Sequence, residues 1–188
     1  MASAFAHGVV ALALARAGLR GALPWYFWLL AVISAILPDV DVLGFHAGIA
    51  YGDLWGHRGM THSLLFAGLW SMVMVGVFFR GQNWRRQRVG LFIVFFIITV
   101  SHGLLDAMTN GGLGIAFFAP FDETRYFFSF RPLAVSPLGL RAFFDTRGLY
   151  ILYNEMIWIG LPSLGLLVIG LWRRYQMAGR VNTRIHED

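Results

Sequence analysis

The residues of this sequence that could carry chemistry are histidines and acids in three short segments. In SHGLLD, His102 and Asp106 are four positions apart, so on a helix they share one face and can bind the same ion or proton. The segments GHRGMTHSL and LPDVD contribute four more: His57, His62, Asp39 and Asp41. Because the chain has no cysteine, imidazole and carboxylate are its available metal ligands, and they suit Zn²⁺, Mn²⁺ or Fe²⁺ held for Lewis-acid chemistry.

Two of these segments contain residues that favour a particular local conformation. In GHRGMTHSL, the two glycines allow a tight turn that brings His57 and His62 toward each other, and Thr61 or Ser63 can cap the following helix. In LPDVD, Pro38 disturbs the helix. We expect the two aspartates to lie in an extended turn and to point the same way.

Each of these ionisable residues has a simpler interpretation when taken alone. His7 could be an interfacial side chain, the aspartate pair could end a helix, and Glu155 could pair with Asn154 or with an arginine. Charges near a membrane cost several kcal/mol unless they are paired or liganded, so their convergence favours a bound ion. The predicted metal ligands are His7, Asp39, His57, His62, His102 and Asp106.

Apolar helices must position these side chains. Hydrophobic residues make up 57% of the chain and charged residues 13%, so the bilayer is its expected solvent. We predict one all-α domain over residues 1–188, a membrane-embedded bundle of about five spans. The five apolar runs are Ala4–Ala15, Pro24–Leu37 continuing into Pro38–Leu43, Leu64–Phe79, Val89–Ser101 continuing to Met108, and Leu149–Trp172.

Arginines predict the orientation of these runs. They follow the first run, separate the third from the fourth and follow the fifth, so the positive-inside rule places these segments and the C-terminus in the cytoplasm. The histidines and acids then lie on the non-cytoplasmic side of the membrane. The net charge of +5 is explained by topology, and we expect no nucleic-acid partner. The first run could be a cleaved signal peptide, but its arginines follow the apolar stretch instead of preceding it.

The long segment Thr109–Gly148 combines glycines, many aromatic residues and interleaved arginines. The simplest interpretation is an interfacial loop whose rings lie at headgroup level. It could instead be a lid over the metal, with rings that contact acyl chains and an arginine that binds a phosphate. The candidates for that arginine are Arg125, Arg131 and Arg141, and the sequence does not select among them.

The motifs LPDVD, GHRGMTHSL and SHGLLDAMTNGG, with His7 before them, resemble the YdjM-like family of LexA-binding, inner-membrane-associated metal-dependent hydrolases. The resemblance extends from His7 to about Pro137 and implies a helical membrane bundle with metal-dependent hydrolase activity. More distantly, the order of histidines and acids is similar to the zinc-dependent phospholipase C and P1 nuclease group, which cleaves phosphoesters. The chain lacks that group's full set of spaced histidine ligands.

These observations and the resemblance predict a metal-dependent hydrolase that cleaves a lipid phosphoester at the outer, periplasmic face of a bacterial inner membrane. A divalent metal, with Zn²⁺ favoured, would lower the pKa of a water molecule and polarise a phosphoryl oxygen. Asp41 or Glu155 could be the general base, Asp41 could instead ligate or orient, and Arg125 or Arg131 could neutralise charge on the phosphate. The main alternative is a non-catalytic metal sensor or adaptor. A transporter is less favoured because the inner halves of all five runs lack ionisable residues.

Overall fold

A computed structural model describes residues 1–19, 22–136 and 146–185, and the side chains of Thr146, Arg174 and residues 177–185 are outside that description. The candidate Arg141 lies outside the described residues. The α-helices are α1 (Ala4–Gly18), α2 (Trp25–Ile36), α3 (Leu64–Phe78), α4 (Arg88–Ala107), α5 (Thr146–Glu155) and α6 (Leu161–Ile185). A 3-10 helix, Leu37–Ala47, continues α2, and a π-helical turn, Met156–Gly160, joins α5 to α6.

The described part of the chain therefore forms five apolar helical segments, and it contains two isolated β-bridges but no named strand. This confirms the predicted all-α membrane bundle. Three of these described segments are long and apolar enough to cross a bilayer: Trp25–Ala47, Arg88–Ala107 and Arg147–Arg173. Helices α1 and α3 have 15 residues each. At 1.5 Å per residue they are about 22 Å long, shorter than the hydrocarbon core of about 30 Å.

Serine side chains fix where two of the helices begin. Ser3 accepts a hydrogen bond from the backbone of Ala6 at the start of α1. At the start of α3, Ser63 accepts one from the backbone of Phe66 at 3.1 Å. Of the two predicted caps for this helix, Ser63 has the role, which leaves the hydroxyl of Thr61 free for a contact in the site.

The centre of the bundle is α4, which packs against α1, α2 and α3, while α1 also packs against α2 and α6. The rings of Phe27, Phe79 and Phe95 meet at centroid distances of 5.5–6.3 Å in one half of the bundle. Buried alanines on α1, such as Ala11 and Ala15, let neighbouring helices approach closely. Large apolar side chains on the outside of α3 remain exposed, as expected for a surface that contacts lipid.

The arginine-bearing ends of the helices lie together. Gly170 of α6 lies against the backbone of Arg16 at the end of α1, and Gly90 near the start of α4 lies against Leu19. Because successive helices run in opposite directions, the ends that carry the histidines and acids of the three motifs meet at the other end of the bundle. The helices therefore gather the histidines and acids at one end, away from Arg16 and Arg88.

Candidate metal centre

The 3-10 helix Leu37–Ala47 separates the two aspartates of LPDVD. The prediction of an extended turn with both carboxylates pointing the same way is wrong. Pro38 lies at the start of the 3-10 helix, and because proline lacks an N–H it cannot continue the α-helical hydrogen-bond ladder of α2. With three residues per turn, positions 39 and 41 face different directions, so Asp39 and Asp41 approach the histidines from two sides.

The tight turn predicted for GHRGMTHSL is present, and both glycines are necessary for it. A Cβ at Gly56 would lie 2.2 Å from the carbonyl oxygen of Ala50, and one at Gly59 would lie 2.2 Å from that of Leu54. Only glycine allows such a close approach of backbone to backbone. The turn brings the rings of His57 and His62 to a centroid distance of 5.6 Å, as the sequence predicts.

The orientation of His102 is fixed by a backbone carbonyl of another helix. Its Nδ1 donates to the carbonyl oxygen of Ala35 at 2.6 Å, which leaves Nε2 directed into the site. There it lies 3.1 Å from Nε2 of His62 and 3.3 Å from Oδ1 of Asp39. A ring nitrogen bonded to a backbone carbonyl while the other faces a shared point is the arrangement of a metal-ligating histidine.

His62 is oriented in the same manner from the other side. Its Nδ1 lies 3.1 Å from the Thr61 hydroxyl and 3.2 Å from Oδ2 of Asp41, both of which can accept a hydrogen bond. Its Nε2 therefore faces His102 and Asp39, at 3.7 Å from Oδ1 of Asp39. Three potential acceptor atoms converge, and neither carboxylate oxygen of Asp39 has a hydrogen-bond partner among the described residues.

The three atoms fit a metal ion. In a tetrahedral site with metal–ligand distances of about 2.0–2.1 Å, neighbouring ligand atoms lie about 3.3 Å apart. The observed separations of 3.1, 3.3 and 3.7 Å bracket that value. Asp106 completes a set of four residues that each offer a ligand atom within 4.8 Å of the others: Asp39, His62, His102 and Asp106.

A second group, Asp41, His57 and His62, also has its ligand atoms within 4.8 Å of one another. In this group, both oxygens of the Asp41 carboxylate already accept hydrogen bonds. Oδ1 of Asp41 accepts from Nδ1 of His57 at 2.7 Å, and Oδ2 accepts from the backbone of Arg58 and from the hydroxyl of Thr61 at 2.6 Å. These contacts hold the turn and its imidazoles in place, and they favour the orienting role among the two that the sequence left open for Asp41.

Burial lowers the pKa of His62, but the nearby carboxylates of Asp39 and Asp41 outweigh it and raise that pKa to about 9. In the metal-free protein at neutral pH, His62 therefore carries a proton that serves the converging acceptors. A metal ion at the same point must displace this proton, because only the neutral imidazole can be a ligand.

Asp106 lies one turn after His102, and both side chains are fully buried. Its Oδ1 accepts from the backbone of Ala2 at 2.6 Å and lies 3.5 Å from Nε2 of His7. Its Oδ2 lies 3.2 Å from Nε of Arg58. The His7 ring stacks on that of His102 at 3.8 Å, but His7 belongs to neither group of possible ligands. The structure thus places His7 beside the centre.

Arg58 is the residue of the site that sequence reasoning missed. It is fully buried and has a φ of 68°, a left-handed conformation unusual for a residue with a side chain. Its guanidinium donates to the carbonyls of Gly111 and Leu113 and to the hydroxyl of Thr109, at 2.8–3.0 Å. It therefore ties Asp106 to the long loop. The one available signal was its position between two histidines of a single motif.

The loop arginines have different surroundings. The guanidinium of Arg125 donates to four backbone carbonyls at 3.0–3.4 Å, so it joins two loops and has little capacity left for a phosphate. The carbonyls belong to Tyr51, Asp53, His57 and Gly114. Arg131 lies on the surface, 4.8 Å above the ring of Phe127. Arg131 is the one of these two that is free to contact a headgroup.

Glu155 contacts the start of the chain instead of an arginine or Asn154. Its carboxylate accepts from the backbone and the hydroxyl of Ser3, both at 2.5 Å. Asn154 donates to the carbonyl of Pro132 and accepts from the backbone of Ala134. Glu155 thus holds α1 against α5 and lies outside both groups of possible ligands.

Comparison with known proteins agrees with a membrane location. The family described as YdjM inner membrane protein matches residues 1–179. Inner membrane protein YbcI of Escherichia coli (strain K12) is 38% identical over 146 residues, which cover 76% of this chain and 82% of that protein. Both descriptions give a location and no reaction. No solved structure matches the chain significantly.

Proposed function

The chain belongs to the YdjM inner membrane protein family, and we propose that it is a metal-dependent hydrolase that cleaves a phosphoester of a membrane lipid. One observation carries the proposal: Nε2 of His62, Nε2 of His102 and Oδ1 of Asp39 converge within 3.7 Å. Three buried polar atoms that share one proton are poorly satisfied, and a cation at their centre would satisfy all three.

The residues of the centre have separate tasks in this proposal. Asp39, His62, His102 and Asp106 hold a divalent transition metal, with Zn²⁺ favoured by the imidazole and carboxylate donors and Mn²⁺ or Fe²⁺ as alternatives. The metal supplies Lewis-acid chemistry, which activates water and polarises a phosphoryl oxygen. Asp41 and His57 orient the ligands, and Asp41 or Glu155 remains the proposed acceptor of a proton.

A lipid substrate is supported by the position of the centre. It lies at one end of the apolar helices, beside a loop whose Phe118, Phe121 and Phe130 are more than half exposed. Such rings lie favourably at headgroup level. Arg131 beside them can pair with a phosphate, because guanidinium forks match phosphate oxygens.

We place this end in the periplasm, with the C-terminus in the cytoplasm. The support is the set of arginines at the opposite ends of the helices, including Arg16, Arg80 and Arg88. Fusions of a periplasm-active reporter at Asp122 should be active and fusions after α6 inactive. A cytoplasmic signal from Asp122 would contradict the orientation.

Burial also favours a second candidate, a non-catalytic metal sensor or adaptor. The side chains of His62 and His102 are fully buried and that of Asp39 is 8% exposed, so the centre is closed in this conformation. Closed sites are typical of structural metals, whereas catalytic ones keep an open position.

The test measures metal and turnover separately. The purified protein is loaded with Zn²⁺ or Mn²⁺, reconstituted with phospholipids and isoprenyl phosphates, and assayed for released phosphate or phosphorylated headgroup with and without chelator. We expect chelator-sensitive cleavage by the wild type and none by His102→Ala. Tight metal binding without cleavage of any lipid supports the sensor or adaptor. Absence of metal binding means that the His62 proton alone serves the cluster.

A further inference from the structure

An apolar groove of about 420 Å³ lies between the 3-10 helix and the start of α3, outside the buried metal centre. Its volume is within the range of about 300–1,000 Å³ that is typical of small-molecule sites. The walls are mostly apolar or aromatic: Leu37, Val40, Ile49, Trp55, Phe66 and Trp70. A hydrogen bond from Nε1 of Trp70 to the Ser34 hydroxyl at 2.9 Å holds one wall in place.

The groove is continuous with the surface that contacts lipid. Val40 is 51% exposed and Trp55 is 62% exposed, and both line the groove. Leu43, on the same 3-10 helix, and Leu65 and Leu69, on α3, add exposed apolar surface beside it. An occupant can therefore enter sideways from the bilayer, and a tryptophan at the edge is typical of headgroup depth.

The groove has two polar lining residues, Asp41 and Thr61. The Thr61 hydroxyl donates to Oδ2 of Asp41 at 2.6 Å, and Asp41 contacts both His57 and His62. The polar part of the groove is thus one residue away from a ligand of the proposed metal. A molecule that fits both parts has a long apolar portion and a polar end.

We infer that this groove binds one acyl chain of a membrane glycerophospholipid, with the ester end of the chain at Thr61. The inference rests on the proposed function in one respect, because that function makes a membrane lipid the substrate. It extends that function by assigning the chain to this groove, instead of to the aromatic loop. A helix of a partner protein would need a wider apolar surface than a groove that ends on a hydrogen-bonded Asp41–Thr61 pair.

The experiment maps where a lipid chain lies. Metal-free protein, which cannot turn over, is reconstituted in vesicles of phosphatidylethanolamine and phosphatidylglycerol that contain a trace of phosphatidylglycerol with a diazirine on one acyl chain. After illumination, labelled residues are identified by mass spectrometry. We expect the label on Trp55, Phe66 and Trp70 to exceed that on Met72, an exposed residue farther along α3.

Matched variants test occupancy. Val40→Trp fills the groove and should lower groove labelling by about tenfold, the scale of a steric change in an apolar pocket. Leu43→Trp adds the same ring outside the groove and should leave the labelling unchanged. If Val40→Trp does not fold, as judged by its melting temperature, Val40→Phe provides a smaller obstruction.

Each outcome separates this inference from the proposed function. Groove labelling that is sensitive to Val40→Trp, without chelator-sensitive cleavage of any lipid, supports the acyl-chain site and overturns the hydrolase. If lipid is cleaved, but α3 is labelled uniformly and Val40→Trp does not change the KM, the acyl-chain site is overturned. The hydrolase proposal then stands. Displacement of the label by a polyisoprenyl phosphate at lower concentration than by phospholipid also overturns the acyl-chain assignment.

Discussion

The two halves of the bundle are built from the same helices but are held together differently. In the half near the arginines, Phe27, Phe79 and Phe95 pack in contact with small and branched side chains. In the other half, His62 and His102 meet acids through hydrogen bonds and ion pairs. Helix α4 runs through both, from Leu91 in the apolar half to Asp106 in the polar half.

The comparison shows that stability and chemistry are assigned to separate halves. Contacts in the apolar half are many and individually weak, so each makes a partial contribution. In the polar half, backbone carbonyls and side chains satisfy the outer atoms, while Asp39 and the two Nε2 atoms depend on a single cation or proton. Mutations in the two halves should therefore change different measured quantities.

The largest effect is expected from His102→Ala. Structural zinc sites bind with about 10–16 kcal/mol over four ligands, so the loss of one should weaken binding by about 10²–10³-fold. Elemental analysis and calorimetric titration of the purified variant measure this loss. Thr99→Ser, three residues earlier on α4, is the matched control and should keep its metal. Unchanged metal content in His102→Ala would contradict the ligand assignment.

Truncating a side chain in the apolar half should lower stability and leave metal binding intact. Phe95→Ala should lower the free energy of unfolding by about 3 kcal/mol, the lower end for a buried Phe, because lipid already solvates the side chain when the helices separate. The folded fraction should bind metal as the wild type does. Unfolding in a denaturing detergent, with metal counted per folded protein, measures both quantities. If the fraction of metal lost exceeds the fraction of protein unfolded, the two halves are not independent.

Asp41→Asn should have a smaller effect on metal binding. Asp41 orients His57 and His62 from outside the ligand set, and the loss of such a partner weakens binding about 10–100-fold. Asp39→Asn should weaken it more, because Asp39 is itself a proposed ligand. Asp53→Asn, an exposed acid that caps the turn at Ala50, is the control and should bind normally. Equal losses at positions 39 and 41 would mean that both aspartates are ligands.

The smallest expected effect is the change in metal affinity per pH unit. Since the nearby carboxylates of Asp39 and Asp41 raise the pKa of His62 from 6.5 to about 9, a metal ion must compete with the His62 proton below pH 9. Affinity should rise by about tenfold per pH unit between 6.5 and 9 and then level off.

The metal-free protein should respond to pH in the opposite direction. The pKa of His62 is higher in the folded state, so its protonation stabilises the fold fully below pH 6.5, and this stabilisation is lost as pH rises through about 9. Melting temperatures of metal-free and metal-loaded protein across this range should diverge. Parallel curves would mean that His62 is not the proton that metal displaces.

The architecture and the grouping of the motifs follow from the sequence. Apolar runs predict five helical segments, and the ionisable residues stand at alternate ends of successive runs, so an up-and-down bundle must bring them to one end. The glycines of GHRGMTHSL predict the turn that joins His57 to His62. The family is also readable from these motifs, because they are short, local and ordered along the chain.

The roles of individual side chains were decided by tertiary structure. Asp39 and Asp41 differ because Leu37–Ala47 is a 3-10 helix. Asp39 approaches His102 and Asp41 approaches His57, and the two carboxylates face opposite ring nitrogens of His62. The orientation of His102 depends on the carbonyl of Ala35, 67 positions away. Helix formation is determined by neighbouring residues, which a sequence displays directly. Hydrogen bonding between distant segments depends on how the helices pack. No local sequence pattern predicts how far apart two such segments lie or how they are oriented.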